Sequence, residues 1–366
     1  MRPQAGLVLV LLAAVLAAGA APVATGPDWP QWGGPKRSFE APAADLAASW
    51  PEGGPPVRWK RDLGEGYSGI AVAGGRLFTM LRRGEDEVVV ALDAATGKKL
   101  WSHDLIGELG GTVRVNGYAA SPIAFGDTVI ATVGEAGHAV VSFRQEDGAV
   151  VWSRHDFKNS PGSPLLIELG GRTQLVAFLF GEVVGLDPAN GDLLWSHPHV
   201  TDFGLNVSTP VFGDDGILFL SSAYGGGSRG LRLKAEGATT KVEEIWFTTR
   251  MRLHFGNAVR IGGTVYGSSG DFGPAPFMAL EVATGHILWR DRTLARASSL
   301  ALADGRLLIL DEDGVLTLAN PTPEGLTVQA KAPLLSNPAW TPPSLVGTTL
   351  YLRDRKVLMA VDLGKR

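Results

Sequence analysis

The sequence predicts an all-β fold, a seven-bladed β-propeller built from four-stranded blades, and three observations predict it. A short stretch returns along the chain as Ala91-Leu-Asp-Ala-Ala-Thr-Gly97-Lys-Lys-Leu-Trp101, Leu186-Asp-Pro-Ala-Asn-Gly191-Asp-Leu-Leu-Trp195 and Leu280-Glu-Val-Ala-Thr-Gly285-His-Ile-Leu-Trp289, with a weaker copy ending Asp147-Gly148-Ala-Val-Val-Trp152. Tryptophans stand at 59, 101, 152, 195, 246 and 289, in steps of 42, 51, 43, 51 and 43 residues, the length of one propeller blade. A small residue, most often polar, opens an apolar strand seven times: Ser68, Ser121, Ser163, Thr209, Asn257, Ser299 and Pro342.

Each part of the repeated stretch has a physical reason. Asp93 can bond the backbone of the turn that follows it, and Gly97 can take the positive φ that closes the turn. Leu100 alternates with its neighbours as on a pleated strand. Trp101 brings a large rigid surface for packing between sheets, worth about 3–5 kcal/mol against Ala where it is buried. A unit this short cannot cover its own apolar face, so copies must stack. By this reading Trp101, Trp195 and Trp289 lie buried between blades in equivalent seats, Trp59, Trp152 and Trp246 mark the same structural repeat, and the degenerate seventh copy after Gly325 puts Gln329 in that seat.

The two ends of the chain complement each other. Val357-Leu-Met-Ala-Val-Asp362 matches the strand ending at Asp93 but has no tryptophan strand after it, while Val57-Arg-Trp59-Lys-Arg-Asp-Leu63 is a tryptophan strand with no turn before it. Pairing them completes one blade and closes the ring, which removes the open edges of a linear array. Residues 57–366 then form one propeller domain, preceded by an arm over 21–56.

Composition agrees with many short strands and tight turns, with 48 Gly and 23 Pro in 366 residues. The net charge of −4 and the lack of a basic stripe exclude a nucleic-acid footprint. Residues 1–20 open with Arg2, run apolar from Leu7 and end Ala18-Gly-Ala20, the pattern of a secretory signal peptide. The chain is therefore expected outside the cytoplasm, periplasmic or extracellular, with no membrane span once the signal is removed, and as a monomer. There is no Cys, so neither disulfides nor a lipidated N-terminal Cys are expected. The Pro- and Gly-rich arm carries Trp29 and Trp32, and two tryptophans need cover, so the arm should dock on the propeller.

Three tempting local patterns have plainer readings. Arg82 to Glu87 reads as a solvated hairpin tip. His197-Pro-His199 has a metal-like spacing but no third ligand nearby, and reads as a pair of exposed loop histidines. Gly225-Gly-Gly227-Ser-Arg-Gly230 spells a dinucleotide-binding turn, yet Leu231-Arg-Leu-Lys after it alternates as a strand and offers no helix N-terminus, so it reads as a glycine-rich hairpin. No metal site and no catalytic residue is expected.

The candidate site follows from geometry. The first strand of each propeller blade is innermost, and its start opens on the central channel. The seven strand-opening residues should ring that channel, and Tyr67, Tyr118, Asn206, Arg252, His254 and Trp340 should crowd its mouth. Aromatic faces with polar tips beside water suit a planar or anionic ligand, with Arg252 pairing an anionic group and His254 as donor or base.

With its Leu-Asp-x-x-Thr-Gly-x-x-x-Trp motif the sequence resembles the pyrroloquinoline-quinone-type propeller repeat family, which includes quinoprotein alcohol dehydrogenases and the lipoprotein propeller of the bacterial outer-membrane assembly machine. The resemblance covers residues 28–366. It is nearest to exported single-propeller proteins that open with an arm like Trp29-Pro-Gln-Trp32-Gly-Gly-Pro35 and close with pairs like Trp340-Thr-Pro-Pro343 and Leu350-Tyr-Leu-Arg353-Asp354. The motif speaks for fold rather than chemistry. The dehydrogenases of the family look longer, often with an adjacent Cys pair, and the assembly lipoprotein needs an N-terminal Cys; this chain has neither. The expectation is an exported, non-catalytic propeller that binds a protein partner or small ligand in the cell envelope. A quinoprotein-like alcohol oxidoreductase using pyrroloquinoline quinone with calcium is the alternative, and a carbohydrate- or polymer-binding propeller the second.

Overall fold

The computed structural model describes residues 28–34, 40–41, 46–47, 49–52, 54–111, 117–135, 137–271, 275–292, 296–302, 304–322 and 325–364. The expected signal peptide lies outside them. Every regular element among the described residues is a strand. The strands form seven sheets, each with four antiparallel propeller strands, arranged as the blades of a ring. Counting from the chain's start, the blades open with the inner strands Ala71–Ala73, Ile123–Phe125, Leu165–Leu169, Val211–Phe212, Val259–Ile261, Ala297–Leu302 and Ser344–Val346. Blade 7 takes its outer strand from the N-terminal side: Val57–Asp62 pairs antiparallel with Val357–Asp362, Trp59 opposite Ala360. The ring closes as the two chain ends require.

The core lies between blades. Residues 88–92 are buried without alternation, because a middle strand has a blade against each face. Val89 and Ala91 pack with Val129, Val141 and Phe143 of blade 2, while Val90 and Leu92 face Leu350 and Leu358 of blade 7.

The repeated motif proves to be a lock between consecutive blades. In the turn, Thr96 donates its backbone N–H (2.9 Å) and hydroxyl (2.7 Å) to Asp93, and Gly97 has φ 70°. The indole Nε1–H of Trp59 donates to Ala94 O of the next blade (3.1 Å), Trp101 to Gln145 O (2.9 Å), Trp152 to Pro188 O (3.3 Å) and Trp246 to Val282 O (2.8 Å). The same rings rest on the turn glycines: a Cβ on Gly285 would meet the Trp246 ring at 2.8 Å. Blade 4 has a long hairpin instead of this turn, so Trp195 donates to Gln174 (2.7 Å), which in turn donates to Thr240 of blade 4 (2.9 Å).

Two expectations for these seats are corrected. Trp195 is buried, as is Trp152, but Trp101 and Trp289 are only half-buried, like Trp59 and Trp246. Gln329 does not hold the seventh seat. Every tryptophan strand carries a bulge that skips the residue before Trp, and in Gly325–Pro333 the bulge skips Gln329 and sets Ala330 in register.

The N-terminal arm docks, and it does so inside the ring. Asp28 accepts from Gly74 N (3.0 Å), Trp29 O from Val72 N (2.6 Å) and Pro30 O from Ala124 N (2.6 Å), so the arm climbs the inner strands of blades 1 and 2. The Trp32 ring lies over Gly69 and Ser121 and belongs to the core shared by blades 5 and 6. A side chain set beside Gly69 of blade 1, clustered with inner-strand residues of blades 5 and 6 and lining a cavity walled by blades 1 to 5 and 7, stands at the ring's axis. Gly33 and Gly34 then turn with φ 89° and 77°. The arm leaves beside Leu302 and Gly364, at the end where it entered. Trp32 therefore plugs the channel.

Candidate functional site

Above Trp32 lies a cavity of about 220 Å³. Its walls come from the stretches just before the inner strands: Tyr67 for blade 1, Ala119 for blade 2, Pro161 and Ser163 for blade 3, Leu205 and Val207 for blade 4, His254 and Phe255 for blade 5, and Trp340 for blade 7. Tyr224 enters from a hairpin of blade 4. It has φ 53°, a conformation that costs a bulky residue energy and is kept where the surroundings enforce it.

Several of the strand-opening residues fasten neighbouring blades together. Ser121 Oγ accepts from Gly69 N (2.7 Å), Ser163 Oγ from Ser121 N (2.8 Å), and Asn257 Oδ1 from Ser299 N (2.8 Å). Small residues with one acceptor let inner strands come close while keeping their end groups bonded.

Of the six predicted mouth residues, three line the cavity. Tyr67 stacks on Trp340 (centroids 4.9 Å apart, planes at 20°), and Trp340 stacks on Phe255 (4.4 Å, 23°). His254 meets Phe255 (5.1 Å) and, edge-on, Tyr224 (4.9 Å). The other three are used otherwise. Asn206 is buried, donating to Leu179 O (2.7 Å) and accepting from Ser222 Oγ (2.7 Å). Tyr118 is buried and donates to Val133 O (2.8 Å), beside a small recess it shares with Tyr67. Arg252 pairs with Asp271 of its own chain (3.2 Å).

The state of His254 follows from its partners. Arg296 Nη1 lies 3.0 Å from Nδ1 and can only donate, so Nδ1 is the acceptor and the proton sits on Nε2, directed at Tyr224 Oη 2.5 Å away. Burial, and then the Arg296 charge, lower the pKa of His254 to about 4. Burial raises the pKa of Tyr67 and of Tyr224. At neutral pH no described residue lining the cavity carries a charge.

Sequence reasoning missed Trp32, Tyr224, Phe255 and Arg296. The Trp29-Pro-Gln-Trp32 arm was visible, but not that it threads the ring. Phe255 adjoins a predicted residue and could have been included; Tyr224 lies in a hairpin that offered no signal.

The other local patterns resolve as follows. The 227–230 glycines belong to the strand Gly227–Glu236, with no helix behind them. The histidine reading needs correction: His199 is fully buried, accepting from Arg229 Nε (3.0 Å), and His197 is largely covered near Glu244. What looked like a loop is paired with its own blade, His197 opposite Val183 and His199 N donating to Gly181 O, while Arg229 of blade 4 covers it from the other side. The Arg82–Glu87 tip is solvated only in its middle; Glu87 is buried, pairing with Arg82 (2.6 Å) and accepting from Tyr118 N (3.2 Å).

A family model described as outer membrane protein assembly factor BamB matches residues 50–291. The chain belongs to this family. Its propeller agrees in fold with solved structures of other kinds. A chain of the mitotic checkpoint complex overlays with TM-score 0.58 at 12% identity, over 98% of this chain and 100% of that one. The WD40 domain of Toxoplasma gondii coronin gives 0.55 at 11%, over 88% and 90%. A 6-phosphogluconolactonase-like protein from Bacteroides fragilis gives 0.52 at 15%, over 72% and 82%. No curated protein matches the sequence. These likenesses establish the fold alone.

Pyrroloquinoline quinone does not fit the residues that line this cavity. It is a tricarboxylate, held with calcium in the dehydrogenases the repeat resembles. No described residue lining the cavity is a Lys, Arg, Asp or Glu. Nor do the described residues contain a group of three or more His, Asp or Glu able to hold a metal ion.

Proposed function

We propose that this BamB-family propeller is a non-catalytic binding module of the cell envelope, with its ligand or partner seated in the cavity at the channel mouth. The observation that carries the reading is the plug. With Trp32 beneath it, the mouth is a blind, largely apolar socket with a few convergent polar groups, the usual make-up of a binding site. The state of His254 supports binding over catalysis: one ring nitrogen is occupied by Arg296 and the other carries its proton toward Tyr224, so no lone pair is available for a general base.

The envelope part of the proposal rests on residues 1–20 and on the family, whose namesake is an outer-membrane protein assembly factor. Among the described residues no helix is long and apolar enough to cross a membrane. N-terminal sequencing of the exported protein should find a mature end near residue 21.

The binding part is tested by thermal-shift screening of the purified chain against small molecules and short peptides. A ligand that raises the melting temperature of the wild type should lose that effect in Trp340→Ala and Phe255→Ala. Ligands whose effect survives both substitutions would move the site elsewhere.

A further inference from the structure

The ligand class can be read from the cavity wall and from what continues outside it. Resting on the binding reading above, we infer that the cavity holds the terminal ring of an uncharged glycan, and that the chain of sugars leaves across the junction of blades 3 and 4.

Three observations combine. The first is charge. The lining is neutral: His254 is uncharged, and Tyr67 and Tyr224 keep their protons. An anionic or cationic ligand would give up its hydration with no countercharge on the wall, at a cost of several kcal/mol. The second is shape and chemistry. The stacked rings of Tyr67, Trp340 and Phe255 offer a broad apolar surface, while Tyr67, Tyr224 and Ser163 add hydroxyl groups within the same socket. A pyranose has the matching duality, with C–H faces that stack on aromatic rings and hydroxyls at its rim. A plain aromatic ligand would instead cover those hydroxyls without replacing their water contacts. The volume of about 220 Å³ accommodates one such ring, not several.

The third observation gives direction. Trp32 closes the floor, so a chain cannot thread the channel and only its end can enter. Outside the cavity the aromatic series continues. Tyr224 meets Phe203 edge-on at 5.4 Å. Phe203 is 63% exposed, and Phe180, beyond Gly204, is 41% exposed. Large aromatic side chains left open to water beside a socket mark a surface that something covers. The 5.4 Å step from Tyr224 to Phe203 is on the scale of one sugar unit.

The test is titration of the full chain, followed by tryptophan fluorescence and calorimetry. The probes are neutral oligosaccharides of glucose, mannose and N-acetylglucosamine from one to six units, with oligogalacturonate and indole as comparisons. One neutral series should bind, with oligogalacturonate at least ~10-fold weaker. Trp340→Ala should abolish binding of every length. Phe203→Ala, at an exposed position that leaves folding intact, should weaken oligomers by roughly 5–10-fold and leave the monosaccharide unchanged. Equal binding of oligogalacturonate would overturn the neutral-ligand argument. Indole binding without any sugar would overturn the glycan while leaving the binding module standing. No sugar binding in a folded wild type, or loss of the monosaccharide in Phe203→Ala, would overturn the proposal outright.

Discussion

Ala330 stands opposite Leu318 in blade 6, in the register that sets a tryptophan opposite Ala, Ser or Gly in the other six blades. The sizes are exchanged across the strand pair. A cross-strand site holds a roughly constant volume, and either strand can supply it. Ala330→Trp should therefore overpack against Leu318 and cost about 1–3 kcal/mol. Leu318→Ala should cost roughly 2–5 kcal/mol alone. The double variant should lose less than the sum by about 0.5–3 kcal/mol in urea denaturation. Strict additivity would show that the two do not share a seat.

The plug makes a second coupled pair. A Cβ on Gly69 would meet the Trp32 ring at 2.3 Å and Ser121 Oγ at 2.4 Å. Gly69→Ala should destabilise by roughly 1–3 kcal/mol, and Trp32→Ala by about 3–5 kcal/mol. In the Trp32→Ala background the Gly69→Ala penalty should shrink, since its first obstacle is gone. Calorimetric melting of the four proteins checks this.

Arg353 carries the closing seam. Fully buried, its Nη1 donates to Ser68 O (3.1 Å), Thr79 Oγ1 (3.1 Å) and Met80 O (3.3 Å) of blade 1. Burial lowers its pKa to about 10, which still leaves it charged at neutral pH. Arg353→Met should cost roughly 2–4 kcal/mol by leaving those acceptors unmet. Deleting residues 57–63 removes the closing strand and should replace one sharp thermal transition with a broad one. A deletion variant melting like the wild type would sink the closed-ring account.

Stability should fall with acid in a window defined by two histidines. Burial first, then Arg229, lowers the pKa of His199 from 6.5 to about 3; His254 is lowered to about 4. Between these values and 6.5 the unfolded chain binds protons that the native state refuses. Stability is thus complete above pH 6.5 and declines as pH drops toward 3, with His199 alone contributing on the order of 3–5 kcal/mol. Denaturant midpoints at pH 7.5, 5.5 and 4.5 should show the decline, and His199→Gln should flatten it. A midpoint unchanged over that range in the wild type would contradict two neutral buried histidines.

Much of this molecule was decided by the sequence itself. The Leu-Asp to Gly to Trp motif specifies a turn and a strand by local chemistry, and its period sets the number of blades. The orphan strand at Val57 and the unfinished one at Asp362 specify how the ring closes. Even the channel mouth was legible in Tyr67, His254 and Trp340, because strand starts converge on a propeller's axis whatever their details. What the tertiary structure alone decided concerns groups brought together from distant positions. Whether Asn206 and Tyr118 serve a cavity or bond the backbone depends on which carbonyls packing leaves beside them. Gln329 and Ala330 differ by one place, and only the bulge chooses between them. His199 reads as exposed until two blades enclose it. Trp32 lies far along the chain from most of the strands it seals; it becomes the floor of a site because the ring assembles around the arm, and local pattern carries no record of what a chain is threaded through.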